Sequence, residues 1–276
     1  MGDPVYAPRS AAGRAGLQAV RTGPAGALVA VDFDGTLAEI VGDPTAARPV
    51  PGAVDALTAL ARRCRTVAVL TGRPAGTLVE YAGLAAHAGT DGLVVLGHYG
   101  DERWDAATDT YTQAPAPAGL AAARAALPEL LRDLGSPTGV FVEEKGTSVA
   151  VHVRAAAEPH GLFVRLAAPL QELAARTGLM VQPGRFVHEL RSGASDKGTA
   201  LRDVAAALPA ASVLYAGDDL GDLPAFEVVE VLRNTGVPGL TVACRGPEPV
   251  PEVTDRADLV LDGPQALVTF LRTLLA

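Results

Sequence analysis

Apolar runs of strand length alternate with segments of helical period, and this alternation restricts the fold of the chain more than any other feature. The runs 27–33 (ALVAVDF), 66–70 (TVAVL) and 93–97 (LVVLG) are separated by 51–64 (PGAVDALTALARRC) and 74–84 (PAGTLVEYAGL), both with helical spacing. Strands that are apolar throughout are buried on both faces, and strands joined through helices pair in parallel. The same grammar returns with 211–219 (ASVLYAGDD), 223–229 (LPAFEVV), 240–244 (LTVAC), 257–261 (ADLVL) and the helical 264–275 (PQALVTFLRTLL). Both stretches therefore predict one α/β core, a Rossmann-like doubly wound parallel sheet.

Between them the pattern changes. After 112–119 (TQAPAPAG) the spacing predicts a helix to about residue 134, strands in GVFVEEK and TSVAVHVR, a helix over 159–177, and two short strands in LMVQP and FVHEL. This is an αββαββ insert, an inserted α+β cap domain over 114–191, which leaves the core domain to 25–113 and 192–276. Residues 1–24 hold no apolar stretch of leader length and are expected to be a flexible N-terminus. With 276 residues, 49% of them hydrophobic, the chain can bury both cores.

A net charge of −8 argues against nucleic acid or an anionic membrane as partner, because no basic field exists to gather phosphates. No apolar run approaches the roughly 18 residues of a spanning helix. Cys64 and Cys244 lie far apart, which suits a reducing, cytoplasmic setting and offers neither a disulfide framework nor a zinc site. The expected partner is a small-molecule substrate; the oligomeric state is not written in the sequence.

In an open parallel sheet, ligands bind beyond the carboxyl ends of the strands. Here those ends carry Asp32 and Asp34, then Thr71, Gly72 and Arg73, then Asp218, Asp219 and Asp222, while Lys197 opens a helix in SDKG. Taken singly, each has a plain structural alternative: an Asp-x-Asp turn, a Thr-Gly turn, a helix start capped by Asp196. In order, at matching ends of predicted elements, they predict a shared site. Five carboxylates at close range cannot all stay ionised without a cation, and an oxygen-only set points to Mg2+. A hard cation of this kind implies phosphate. An aspartate approaching a phosphate dianion meets about 4 kcal/mol of repulsion per pair of unit charges a few ångström apart. A divalent ion and one lysine offset this. Of 23 basic residues only Lys145 and Lys197 are lysine, and Lys197 is the natural phosphate clamp, with the Thr71 hydroxyl a second donor.

DFDGTL, LTGR, SDKG and GDDLGD together resemble the four motifs of the haloacid dehalogenase (HAD) superfamily, whose members are mostly Mg2+-dependent phosphatases. The resemblance implies Asp32 as nucleophile, forming an aspartyl-phosphate, and Asp34 as the acid that protonates the leaving oxygen and then activates water. It implies that Thr71 and Lys197 hold the phosphoryl group, and that Asp218 completes the Mg2+ site with Asp32 and the backbone carbonyl of Asp34, Asp219 and Asp222 standing close by.

VDFDGTLAEIVGDP, HYGDE, VEEKGTSVAVHVR, PGRFVHELR and DKGTAL extend the resemblance to the trehalose-6-phosphate phosphatase family. That implies Glu143, Lys145, Arg154 and Glu189 of the insert as sugar-binding groups, with Gly72, Arg73 and His98 also facing substrate. Without the family, VEEK into TSVAVHVR is a charged hairpin with one buried face, and His152 and His98 have plain packing roles as alternatives. The chain departs from the family pattern at Gly221-Asp222-Leu223, at GHYG and at Arg185. The expected activity is hydrolysis of trehalose 6-phosphate in trehalose biosynthesis. The same chemistry on a sucrose or glucosylglycerate phosphate, and a non-catalytic sugar-phosphate sensor, are the alternatives.

Overall fold

The computed structural model describes residues 6–87, 90–184, 186–193 and 195–275, so Arg185 lies outside the described residues. The chain divides into two compact units, 1–113 with 195–276, and 114–194. The first opens with α1 (Ala11–Thr22), β1 (Ala27–Asp32), α2 (Ala53–Ala61), β2 (Thr66–Leu70), α3 (Ala75–Tyr81), β3 (Leu93–Gly97), β4 (Glu102–Asp105) and β5 (Thr110–Gln113). The second holds α4 (Leu120–Asp133), β6 (Phe141–Glu144), β7 (Val149–His152), α5 (Pro159–Thr177), β8 (Met180–Gly184) and β9 (Val187–Arg191). The first unit then resumes with α6 (Lys197–Ala207), β10 (Ser212–Gly217), α7 (Leu223–Asn234), β11 (Gly239–Cys244), α8 (Pro251–Arg256), β12 (Leu259–Leu261) and α9 (Gly263–Thr273).

The sheet of the first unit runs β12-β11-β10-β1-β2-β3-β4-β5. It is parallel from β12 to β3 and antiparallel at β4 and β5. β1 sits inside the sheet because every one of its residues is buried. Val29 and Val31 pack with residues of α1, α2, α3 and α9, whereas Leu28 and Ala30 pack with residues of α6 and α7. That is the period-two division of a strand covered on both faces. The β4–β5 hairpin has no counterpart in the sequence reading. Among its strand residues only Trp104 is buried, its Nε1 donating to Asp109 Oδ1 at 2.8 Å, and an edge hairpin whose strands turn one side chain inward leaves no apolar run to find.

Residues 6–24 correct the expectation of a flexible N-terminus. Ser10 caps α1, its side chain accepting from the Gly13 amide, and Gly13, Gly16, Leu17 and Val20 are buried. Leu17 and Val20 join the larger core cluster, while a Cβ on Gly16 would stand 1.8 Å from the Gly239 carbonyl oxygen. Two of the four inward positions are glycines, so the helix docks by close backbone approach and carries little apolar signal in its sequence.

The second unit is a four-stranded antiparallel sheet, ordered β6-β7-β9-β8. Val149, Val151 and Leu190 pack with Leu120 and Leu127 of α4 and with Leu162, Leu166 and Leu170 of α5. Register pairs Glu143 with Ala150 and Ala150 with Glu189, so alternation places these residues and His152 on the face away from the two helices. Among the described residues, no helix is long and apolar enough to cross a membrane.

Candidate active site

Asp32 pairs with Leu70 of β2, and Val31 with Ala216 of β10. Asp32, Thr71 and Asp218 therefore leave the sheet at the same ends of three adjacent strands. Beyond Asp32 the chain closes on itself: the Phe33 carbonyl accepts from the amides of Thr36, Leu37 and Ala38 at 3.3, 2.8 and 2.9 Å. Gly35 has φ of 81°, and a Cβ there would stand 2.0 Å from Asp218 Oδ2. A left-handed turn pressed against a carboxylate leaves room for glycine alone.

Lys197 is the first residue of α6, whose cap, Asp196, accepts from the Thr199 amide at 2.6 Å. Its Nζ lies 2.8 Å from Asp32 Oδ1, 2.8 Å from Asp222 Oδ1 and 3.8 Å from Asp219 Oδ1. Asp222 Oδ1 also accepts from the Tyr215 hydroxyl at 2.6 Å, and its Oδ2 accepts from the amides of Asp218 and Asp219 at 2.9 and 3.1 Å. Both oxygens of Asp222 thus accept from two donors each, Lys197 and Tyr215 on one and two amides of the turn on the other. Asp219 caps that turn, accepting from the Gly221 amide at 2.9 Å, with its side chain well exposed.

Asp32, Asp218 and Asp222 each offer an oxygen within 4.8 Å of the others. Burial pushes the Asp32 carboxyl well above its ordinary value, the Lys197 charge lowering it and Asp222 and Asp218 adding to the rise. Burial likewise pushes Asp218 up to about 7, with help from Asp222 and Asp219. Burial opposes the charge on Lys197, but Asp32 and Asp222 outweigh it and keep the ammonium protonated. Burial also raises Asp222, yet the Lys197 charge and its hydrogen bonds leave it lowered. The pattern is that of a group of carboxylates short of positive charge, and an all-oxygen set of this kind fits Mg2+.

Arg73, expected to face substrate, grips Asp34 with Nε to Oδ2 at 2.8 Å and Nη2 to Oδ1 at 2.6 Å. Its guanidinium also lies over the rings of Phe33 and Tyr81, at 5.6 and 5.9 Å. Thr71 is buried, and its Oγ1 accepts from the Arg73 amide at 3.1 Å, which leaves its own proton to donate. Gly72 lies under Tyr99: a Cβ there would come within 2.8 Å of the ring hydroxyl. His98 is buried, its Nδ1 3.5 Å from Glu102 Oε1.

The expected sugar-binding group of the second unit comes together in part. Lys145 Nζ lies 3.1 Å from Glu189 Oε2 and 3.9 Å from Glu143 Oε2. His152 Nε2 lies 2.8 Å from the same Glu143 oxygen, and Ser148 donates to Glu189 Oε1 at 2.6 Å. Arg154 is exposed just past β7.

Three partners were missed by the sequence reading. Tyr215 could have been found, because a tyrosine inside an otherwise apolar strand needs a partner for its hydroxyl. Ser148 shares the alternation of Ala150 and His152, a signal visible once the strand is fixed. The hydrogen bond from Ser195 to Asp101 joins residues far apart in sequence and carries no local signal.

The sequence model of the trehalose-phosphatase family matches residues 30–257. The chain belongs to the trehalose-phosphatase family. Within that family it is similar to the trehalose-phosphate phosphatase of Mycobacterium marinum, 40% identical over 204 residues, which are 72% of this chain and 50% of that protein. The enzyme of the same name from Mycobacterium tuberculosis is 36% identical over 241 residues, 82% of this chain and 59% of that protein. The chain thus spans about half the length of the curated relatives it matches. In fold it is similar to the Aspergillus fumigatus trehalose-6-phosphate phosphatase, at a TM-score of 0.65 and 24% identity, covering 98% of each chain. A haloacid dehalogenase-like hydrolase from Bacteroides thetaiotaomicron gives a TM-score of 0.63 at 13% identity over 89% of this chain and 98% of that one. These two likenesses bear on the HAD-type fold.

Proposed function

We propose that this trehalose-phosphatase family member is a cytoplasmic, Mg2+-dependent phosphatase that hydrolyses trehalose 6-phosphate to trehalose and phosphate. The observation that carries the reading is Lys197, buried and held 2.8 Å from both Asp32 and Asp222 among carboxylates short of positive charge. Asp32 and Asp218, with the backbone carbonyl of Asp34, would hold Mg2+, whose charge offsets the repulsion between nucleophile and phosphate.

An Asp32 oxygen attacks phosphorus; the sugar oxygen leaves with the bonding pair and takes a proton from Asp34. Water then attacks the aspartyl-phosphate and gives its proton to Asp34, which releases phosphate and restores the Asp32 carboxylate. Lys197 and the Thr71 hydroxyl hold the phosphoryl oxygens, and Asp222 acts through Lys197 as a positioning residue. Glu143, Lys145, Arg154 and Glu189 are assigned to the disaccharide. Released phosphate, measured over a panel of sugar phosphates with and without EDTA, tests the reading. Trehalose 6-phosphate turned over first in the panel, only with Mg2+, supports it. Preference for another sugar phosphate, or turnover unchanged by EDTA, overturns the corresponding part.

A further inference from the structure

We propose that the turn after β3, residues 98–102, is a strut that sets Thr71 and Lys197 at a fixed separation, with Asp101 as a positioning residue for the lysine. Both side chains hold phosphoryl oxygens in the function proposed above, and the role of the strut rests on that reading.

The turn is kept in a conformation that its own residues disfavour. His98, Tyr99 and Gly100 have consecutive φ of 47°, 60° and 104°, and two adjacent non-glycine residues persist in the left-handed region only where their surroundings impose it. One side of the turn is bound to the segment that carries Thr71. The Tyr99 amide donates to the Thr71 carbonyl and the His98 amide to the Arg73 carbonyl, each at 2.9 Å. Glu102 extends this seam, its Oε2 accepting from the Ala75 amide at 2.7 Å.

The other side of the turn meets the start of α6. A Cβ on Gly100 would stand 2.9 Å from the Ala200 Cβ, so the backbone passes close against the first turns of the helix. Ser195 donates its hydroxyl proton to Asp101 Oδ1, and Asp101 is only 8% exposed. A hydroxyl given to a shielded carboxylate makes a charge-assisted bond, for which water competes poorly. Ser195 stands two residues before Lys197 and Ala200 three after it, so these contacts bracket the backbone of the lysine. Asp32 and Asp222 hold its ammonium end. Once a phosphoryl group draws on that ammonium, the reach of the side chain depends on where the helix begins. A misplacement of about 1 Å at a reacting centre can cost about a hundredfold in rate.

The chain holds only two lysines, Lys145 and Lys197, so protein made with isotope-labelled lysine gives two backbone amide signals by NMR, assigned by Lys145→Arg. Asp101→Ala and Ser195→Ala should each shift the Lys197 signal and leave that of Lys145 in place. Each should also lower kcat/KM by roughly tenfold or more, for trehalose 6-phosphate and p-nitrophenyl phosphate alike. The double variant should be no slower than the slower single one, because both substitutions remove the same bond. Asp101→Asn, whose amide oxygen still accepts, should return the signal towards the parent and recover most of the rate. Ser195 is only half-buried, so its replacement keeps the test open if Asp101→Ala fails to fold. A Lys197 signal unmoved by Ser195→Ala would overturn the strut whatever the activity. A shifted signal with unchanged rates, or additive losses in the double variant, would overturn Asp101 as a positioning residue. A parent protein that releases phosphate from no ester would instead overturn the function proposed above, and the Lys197 signal would still decide the strut.

Discussion

Arg73 holds Asp34 through both carboxylate oxygens, at 2.8 and 2.6 Å. The fork fixes the direction of the group assigned as acid and base, and it reaches that group from the end of the adjacent strand. Removing it costs a charged hydrogen bond of about 1.5 to 3 kcal/mol. Arg73→Ala should therefore lower kcat/KM by roughly tenfold to a hundredfold, equally for trehalose 6-phosphate and p-nitrophenyl phosphate, because Asp34 would serve any ester. Arg73→Lys should recover only part, since an ammonium cannot engage both oxygens. Steady-state rates on the two substrates check this; a variant faster than the parent would make the pair a lock on Asp34.

Asp32→Asn should abolish turnover while leaving the fold intact. The amide is nearly isosteric but is a poor nucleophile and a weaker metal ligand. Circular dichroism should match the parent, and activity within tenfold of it would remove Asp32 from its role.

Asp218 gives a pH dependence with a definite sign. Its folded value, about 7, stands above the ordinary 3.8, so the native state favours the protonated carboxyl. The stabilisation is complete below about 3.8 and is lost as pH rises through about 7. Metal-free protein should melt lower at about pH 8 than at about pH 6, and Mg2+, which binds the ionised form, should raise the melting temperature more at the higher pH. An equal Mg2+ shift at both values counts against Asp218 as a ligand.

The placing of Asp32, Thr71 and Asp218 together was legible because they end apolar strands: each follows a run whose burial is written in its composition. Lys197 was legible through the cap Asp196 and the scarcity of lysine. What Asp222 does was not, since its partners Lys197 and Tyr215 are brought to it by α6 and β10, and pairing of that kind has no sequence period. Helix α1 escaped for a related reason: Gly13 and Gly16 dock by the absence of a side chain. The pairing of Arg73 with Asp34 likewise depends on strand adjacency, which the motifs imply only once the sheet order is known.

Tyr215 contributes one of four hydrogen bonds to Asp222. Tyr215→Phe should cost about 0.5 to 1.5 kcal/mol, a fall of a few degrees in melting temperature, with only a modest loss of rate. Asp222→Ala should be far more severe, because the buried ammonium of Lys197 would keep only Asp32 at 2.8 Å, with the exposed Asp219 at 3.8 Å. A thermal melt beside a phosphate-release assay separates the two, and comparable rates in both variants would show that Asp222 does not position the lysine.

The last prediction sets the two lysines against each other. Lys197, buried beside Asp32, would clamp any phosphate ester, so Lys197→Ala should depress hydrolysis of trehalose 6-phosphate and p-nitrophenyl phosphate alike. Lys145 lies in the other unit, 3.1 Å from Glu189, which Ser148 holds in turn at 2.6 Å. If this group reads the sugar, Lys145→Ala removes a charged hydrogen bond of about 1.5 to 3 kcal/mol. That should lower kcat/KM for trehalose 6-phosphate by roughly tenfold to a hundredfold and leave the small ester, which has no disaccharide to grip, little changed. Ser148→Ala should give a smaller loss of the same selectivity, because it removes one hydrogen bond to Glu189 without removing a charge. Equal slowing of both substrates by Lys145→Ala, or none, would take sugar recognition away from the cap cluster and leave the chain a phosphatase of unassigned substrate.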